Sequence, residues 1–591
     1  MGSPDPATPS PNAKDIPVKT CTPGQAIVDG LLAEGVEVVY GLPGGHILGI
    51  YDAIYKTEGI RHVLVRHEHH AAAMAAGQAQ LTGRPGVCMT TAGPGATNLV
   101  TAVAEAHVGA LPMIILAARA VTANAHRGAS QEIQTENVFA PITKWAVRVD
   151  RPEHLPHVLQ QAFRVATSDR PGPVYIDIPK DMLDGEITVP EYRPASLSHT
   201  VLGDPGLVAT AARGLATAAR PLIVAGGGTV ASGAFAELRQ VAELLAAPVL
   251  TSLSGRGSLP DDHPLAAGGL GAHRTPLSAR LLAEADYVLA LGTRFEEMET
   301  NWKPGYVPSP GVPVVQVDIS GSEFGKSVDT TIGIVGDIRA VLGQLLQALA
   351  EEPTVDPADL AAHPRVQEIA DAVKLIEAEI EEATSHPGEL INPLQVVRQA
   401  RKAFPRESSV AIDVGNLAQA MGGAFPYFRV YEPRSLIVCT SFYGMGFSAA
   451  AAPAAKVVYP DRPALCFVGD GSFQMVMNIL PAAAENHLGV TWVVLNDYAL
   501  GSIRELQEYR MDGRFLATEF TINPDFGAVA TACGCYGESV TDAAEIDGAF
   551  QRALAANAEG VPAVLDFRVF PMRLKSSRDH FNLYRPDEAR G

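Results

Sequence analysis

Short apolar runs alternate with longer segments of helical period along most of this chain, and the alternation falls into three blocks. In the first, residues 36–40, 63–65, 87–91, 113–117 and 174–178 read as buried strands. Residues 222–225, 248–251, 287–291, 314–318 and 332–335 do so in the second, and 410–414, 436–439, 465–468, 491–495 and 563–567 in the third. Near-continuous apolar strands separated by helix-length segments mark parallel sheets covered on both faces. The expected fold class is therefore α/β, with three doubly wound parallel-sheet domains. Proline and polar residues gather at 190–205 and across about 351–393, which read as linkers, the second with a helix over 366–384. The expected organisation is a disordered tail at 1–19, domains at 20–190, 205–350 and 385–571, and a C-terminal tail at 572–591.

Composition agrees with this division. A chain of 591 residues is too long for one core and fits three domains of ordinary size. With 19% charged and 47% hydrophobic residues it reads as a well-packed enzyme. The net charge of −20 argues against nucleic acid as a partner but leaves the substrate open, since an acidic protein can hold a local cationic pocket. The six cysteines are scattered, and the close pair Cys533 and Cys535 has neither redox nor zinc spacing, so free thiols in a reducing cytoplasm are expected. The first 19 residues lack a signal-type apolar core and no run of roughly 18 apolar residues occurs, so no membrane association is expected.

The most informative chemistry lies in GDGSFQMVMNILPAAAENHLGVTWVVLND, residues 469–497. One apolar run delivers Gly469, Asp470 and Gly471 to a tight turn, and a second ends in Asn496 and Asp497. Asp470 and Asp497 offer hard oxygen ligands for Mg²⁺, while a helix opening near Ser472 turns backbone N–H groups toward an anion. Gly-Asp-Gly by itself is also an ordinary β-turn. The second strand, ending in an amide and an acid at crossover distance, favours the cation site.

Here the chain resembles the thiamine diphosphate enzymes of the acetolactate synthase and pyruvate oxidase group, over about residues 22–570. GPGATN, RPGPVYIDIPKD, GDGSFQM and LQEYR carry the likeness. It implies a pyrimidine-binding domain, a central domain and a diphosphate-binding domain, in that order. It also implies thiamine diphosphate as cofactor, with Mg²⁺ held by Asp470, Asp497 and the carbonyl of Ala499, although the second ligand in the family is more often Asn. Gly415 and Asn416 match the loop that meets the diphosphate. Glu68, in RHEHHAAAMAAGQAQ, would be only a helix-dipole partner if taken alone. The resemblance makes it the glutamate that hydrogen-bonds the aminopyrimidine and promotes loss of the thiazolium proton. Met445, between Gly444 and Gly446, matches the apolar prop that bends the cofactor, where a lone methionine is otherwise a core residue.

His46 follows GLPGG at a position that faces the reacting carbonyl in relatives, and benzaldehyde lyase is similar in having histidine there. Its imidazole would suit protonation of an alkoxide; a structural hydrogen bond is the other reading. His69 and His70 are weaker candidates. Gln131 and Lys144 match positions near the cleft in acetolactate synthases, with surface roles equally open. AGGGT (225–229), GLGAHRT (269–275) and LGTRFEE (291–297) resemble flavin-binding loops, which nominates Gly227, Gly228 and Arg294 and leaves FAD open.

Three departures from the family pattern argue against a biosynthetic acetolactate synthase and favour an uncharged or cyclic substrate over two molecules of 2-oxo acid. Met298 stands where the family has an arginine for the second oxo acid, Leu506 replaces an active-site tryptophan, and GNLA (415–418) replaces GQHQ. The expected function is a thiamine diphosphate-dependent C–C bond lyase or carboligase acting on a small-molecule carbonyl substrate: a 2-oxo acid, acyloin or dione. A cyclic 1,2-dione hydrolase, a hydroxyacyl or benzoin-type lyase, a flavin-linked 2-oxo acid oxidase and a catalytically inactive regulatory descendant are the alternatives. The resemblance further implies a homodimer or homotetramer with active sites between subunits; a regulatory subunit is not readable from the sequence.

Overall fold

The structure, a computed structural model, describes residues 17–195, 200–271, 274–385, 390–416 and 428–571. Both terminal tails named above lie outside these residues except for 17–19, and so do Ala272, His273, Leu417 and Ala418. Within them, no helix is long and apolar enough to cross a membrane.

The strands in chain order are β1 (Val18–Cys21), β2 (Val38–Leu42), β3 (Arg61–Leu64), β4 (Gly86–Thr90), β5 (Met113–Arg119), β6 (Trp145–Arg148), β7 (Pro173–Pro179) and β8 (Ile187–Pro190). They continue as β9 (Pro221–Ala225), β10 (Val249–Thr251), β11 (Ala266–Gly269), β12 (Tyr287–Leu291), β13 (Val314–Asp318) and β14 (Ile332–Val335). The last set is β15 (Ser409–Ile412), β16 (Leu436–Val438), β17 (Ala464–Gly469), β18 (Val490–Asn496), β19 (Tyr536–Val540) and β20 (Ala563–Arg568).

They form three six-stranded parallel sheets, ordered β3-β2-β4-β5-β7-β6, β11-β10-β9-β12-β13-β14 and β16-β15-β17-β18-β20-β19. β1 and β8 pair antiparallel as a separate ribbon. Counting strands within each sheet, the first and third share the order 2-1-3-4-6-5, while the second runs 3-2-1-4-5-6, the order of dinucleotide-binding folds. Each sheet carries its own buried cluster of mostly aliphatic and aromatic side chains, and the α/β class holds throughout.

Each six-stranded sheet has one strand that the apolar pattern does not signal, and each is an edge strand: β6, β11 and β19; both strands of the β1–β8 ribbon also go unsignalled. WAVR and YGESV are only half buried, and AAGG has no β-branched side chain, so neither run stands out as apolar and bulky. The helix expected over 366–384 is observed as Pro364–Ser385.

Two compact units result. One holds the first sheet; the other holds the second and third sheets together with residues 73–84 and 104–111. Inside the second unit the buried Arg256 donates to Asp261 (2.5 Å) and to the Phe428 carbonyl (2.7 Å), while Asp261 accepts from Val430 N–H at 2.7 Å. The central sheet is thereby locked to the start of the third.

The first unit stores a pH dependence. Burial pushes His62 and His69 down to about 4 and His70 down to about 3, from an ordinary 6.5, with the neighbouring histidines lowering the last two further. These rings stay neutral when folded. Their contribution is complete above pH 6.5 and is lost as the pH falls from there toward the folded values. Thermal midpoints are expected to drop between pH 7 and 5, stability falling about 1.4 kcal/mol per pH unit for each proton taken up on unfolding. His70→Gln should flatten that dependence, as scanning calorimetry across this range will show.

Candidate active site

In an open parallel sheet, ligands bind beyond the carboxyl ends of the strands where the strand order reverses. In the third sheet that point lies between β15 and β17. A cavity of about 270 Å³ opens there, lined by residues 414–416 after β15, 469–472 after β17, and 497 with 499–505 after β18. Met445, Glu508 and Pro571 complete it. It brings together Gly415, Asn416, Met445, Gly469, Asp470, Gly471, Ser472, Asp497 and Ala499.

Parallel pairing explains why the two acids meet. β17 and β18 run side by side from Ala464 opposite Val490 to Gly469 opposite Leu495, so the residues just past their ends emerge on one side. Burial and the charge of Asp497 push Asp470 up to about 7; burial raises Asp497 to about 6, against the opposing charges of Arg504 and Arg568. Asp470 accepts a hydrogen bond from Asn523 Nδ2 at 2.7 Å. The same nitrogen donates to Asn496 Oδ1 (2.9 Å), and Gln474 Nε2 donates to Asn523 Oδ1 (2.7 Å), which fixes the amide's orientation. Asn496 in turn donates to Asp566 at 2.9 Å.

These residues fit a magnesium ion. A buried acid whose proton affinity is raised by a half-buried acid beside it is a natural cation seat, and Mg²⁺ commonly takes one or two carboxylates while phosphate and water complete its octahedron. Among the described residues no cluster of three or more acidic, histidine or cysteine side chains surrounds a single point, so an all-protein cage is not offered. The cavity also fits a larger anion beside the metal: a side-chain carbon added at Gly469 would stand in open space.

On the first sheet the order reverses between β2 and β4. Glu68 is 7% exposed and opens the helix Glu68–Thr82. Asn98 Nδ2 donates to its Oε2 at 2.8 Å, and a carbon at Gly95 would lie 3.5 Å from Oε1, so the GPGATN turn wraps the carboxylate. Gln131, exposed and at φ 63°, packs on Gly93, where an added carbon would lie 2.6 Å from its carbonyl oxygen. His46 sits half buried in the turn after β2; Gly44 of that turn is in tight contact with Thr91. Burial lowers the His46 pKa, and the charge of Lys180 lowers it further. The first unit thus gathers Glu68, Gln131 and the His46 turn at one end of its sheet. Lys144 does not join them as a free cation, because its ammonium donates to the Ser168 carbonyl at 2.5 Å.

The flavin candidates fall at the reversal between β9 and β12 of the central sheet. Their glycines are accounted for by loop meeting loop: a carbon at Gly228 would lie 2.8 Å from Gly292 Cα, and Gly228 N–H donates to the Gly292 carbonyl at 3.1 Å. Gly227 lies against Ser254. Arg294 pairs with Glu296 and donates to the Val108 carbonyl at 3.0 Å. These contacts leave the glycines and the arginine without independent support for FAD.

Sequence reasoning passed over Asn523, Ser502, Glu505 and Asp413. The Asn416 N–H donates to Ser502 Oγ at 2.9 Å, Ser502 donates to Asn416 Oδ1 at 2.6 Å, and Asn416 Nδ2 donates to the buried Glu505. Asp413 had a signal, a lone acid ending an apolar strand two residues before Gly415. Asn523 lies in a polar loop with no pattern to mark it.

Comparison with known proteins agrees with this layout. Residues 22–138 match the family model "Thiamine pyrophosphate enzyme, N-terminal TPP binding domain", 208–345 the central domain and 413–567 the "C-terminal TPP binding domain". The chain is 34% identical to the "Probable acetolactate synthase large subunit" of Methanocaldococcus jannaschii over 93% of its length and 92% of that protein's. The chain belongs to the thiamine pyrophosphate enzyme family.

It is also 34% identical to the "Acetolactate synthase isozyme 3 large subunit" of Escherichia coli K12, over 90% of this chain and 92% of the other. For the "Acetolactate synthase large subunit" of Corynebacterium glutamicum the figures are 33%, 96% and 90%. In a thiamine pyrophosphate enzyme the partners that orient metal ligands matter nearly as much as the ligands. Asn523→Ala is expected to weaken Mg²⁺-dependent thiamine diphosphate binding about 10–100-fold with the fold intact, as isothermal titration calorimetry will show.

Proposed function

We propose that this protein is a magnesium- and thiamine diphosphate-dependent carboligase that joins 2-oxo acids, forming acetolactate or a close homologue as its relatives' names indicate. The observation that carries the reading is the pair of acids, buried Asp470 and half-buried Asp497, at adjacent strand ends in an open cavity at the reversal of the third sheet.

Thiamine diphosphate, when bound, supplies the nucleophilic carbon and the electron sink for the reaction. Asp470, Asp497 and the Ala499 carbonyl hold Mg²⁺, and Gly469, Gly471, Ser472, Gly415 and Asn416 seat the diphosphate. Glu68, oriented by Asn98, holds a proton against a pyrimidine nitrogen. Met445 would support the coenzyme from one side of the cavity. His46, lowered below its ordinary pKa, is neutral near pH 7 and serves as a proton acceptor or hydrogen-bond partner at the carbonyl oxygen; Gln131 offers a neutral amide there.

We extend to this chain a homodimer or homotetramer, with a smaller partner subunit as the relatives' designation "large subunit" indicates. Its six cysteines, all buried or half-buried free thiols, suit the cytoplasm. FAD stays outside the proposal, since the central loops give it no support. The dione hydrolase, benzoin-type lyase, oxidase and inactive-descendant readings are not favoured, because the relatives named above are all acetolactate synthase large subunits.

Purified protein given pyruvate, Mg²⁺ and thiamine diphosphate should release CO₂ and acetolactate; absence of both, with the coenzyme shown to be bound, would overturn the substrate assignment. Glu68→Gln is expected to keep the fold and the coenzyme affinity while turnover drops on the order of 10²–10⁴-fold. Wild-type turnover in that variant removes Glu68 from the site.

A further inference from the structure

The loop that presents Met445 is held by two buried carboxylates that the reaction does not otherwise use. Glu105, fully buried, accepts from Thr440 N–H, from Thr440 Oγ1 at 2.6 Å and from Gly444 N–H at 3.0 Å. Asp413, 1% exposed at the end of β15, accepts from Gly446 N–H at 2.9 Å and Ala449 N–H at 3.0 Å. Ser472, which lines the cavity in the Gly-Asp-Gly turn, adds a side-chain hydrogen bond to Asp413. The peptide groups on both sides of Met445 are therefore nailed to an anion, one from each direction.

The backbone between them has little freedom to drift. Tyr443 lies at φ 55° and Gly446 at φ 82°, and a side chain at Gly446 would come within 2.7 Å of Val476. Left-handed geometry at a tyrosine is strained and persists only where surroundings enforce it. Charged acceptors give the strongest backbone hydrogen bonds, yet burying two carboxylates is a poor way to gain stability, because apolar residues would fill the same volume at lower cost. What the carboxylates add is a fixed position.

We propose that Asp413 and Glu105 are positioning residues that set the height and direction of the Met445 side chain in the cavity, with Asp413 also coupling that side chain to the diphosphate turn through Ser472. The inference rests on the reading of Met445 as the support of the bent coenzyme. An amide in place of either carboxylate keeps the shape but must turn an NH₂ toward a backbone N–H or a hydroxyl, so the loop shifts without a cavity being made.

The test uses the full-length protein loaded with thiamine diphosphate and Mg²⁺. The exchange of the coenzyme's C2 proton with deuterium, followed by rapid quench and proton NMR, reports the bent geometry without any substrate. Asp413→Asn and Glu105→Gln are each expected to slow exchange about 10²-fold, as a displacement of about 1 Å does, while calorimetric affinity for the coenzyme changes far less. Met445→Ala should show the same loss. Wild-type exchange in both amide variants alongside slow exchange in Met445→Ala overturns the positioning role and leaves the Met445 reading standing. Wild-type exchange in Met445→Ala overturns both. Should an amide variant fail to fold, Thr440→Val and Ser472→Ala, which each remove one hydrogen bond and leave the carboxylate, carry the same expectation at about tenfold; unchanged exchange in both overturns the proposal.

Discussion

Two like charges held together in a buried place organise this protein's chemistry. Asp470 and Asp497 emerge side by side because β17 and β18 are parallel neighbours in register, and that register is enforced along six paired positions. Asp470 is closed off from solvent, Asp497 is half-buried beside it, and the charge of Asp497 adds to burial in raising the proton affinity of Asp470. Only a proton or a cation removes the tension. A metal ion at this point is therefore bound by a framework that already carries the cost of assembling its ligands, the usual basis of preorganisation.

The same constraint shapes what surrounds the pair. Asn523 satisfies Asp470 on one side and is itself held by Gln474, while Asn496 and Asp566 extend the network into the sheet. Neutral amides rather than cations do most of this work. A lysine in place of Asn523 would neutralise the acids permanently and compete with the metal. The nearby arginines are turned to other tasks: Arg504 Nε bonds Glu519 at 2.8 Å, and Arg568 lies over the Tyr498 ring at 3.5 Å.

Interior strands were legible because burial on both faces forces apolar, β-branched runs, and that pattern survives in the sequence without any knowledge of pairing. β6, β11 and β19 were not, because these three edge strands are half solvated or built of small residues and their composition approaches that of a loop. The cavity residues were legible where chemistry requires a particular side chain at a strand end, as with Asp470 and Asp497. Asn523 and Ser502 escaped because their roles come from spatial neighbours 53 and 86 positions away. The glycines of the central sheet left the flavin open. Glycine permits close approach of a backbone to anything, and at Gly228 and Gly292 that partner is another loop, a use that sequence cannot distinguish from a ligand.

The first and third sheets share one strand order and present different chemistry at the same topological place. In the first, an acid enters a helix opening and is wrapped by a glycine turn and a single amide; in the third, acids follow two adjacent strands and face a cavity. Strand order fixes where a ligand is received, but the loops decide what is received. A diphosphate arriving at the third sheet meets Asp470, Asp497, Glu505 and Glu508 in the cavity wall, four acids against Arg504, which already bonds Glu519. Repulsion from that wall would exclude the anion unless a divalent ion stood between the two charges. The proposed dependence on Mg²⁺ would then follow from the electrostatics of the cavity as much as from the donor set, and an anion lacking the metal should be rejected even though the space admits it.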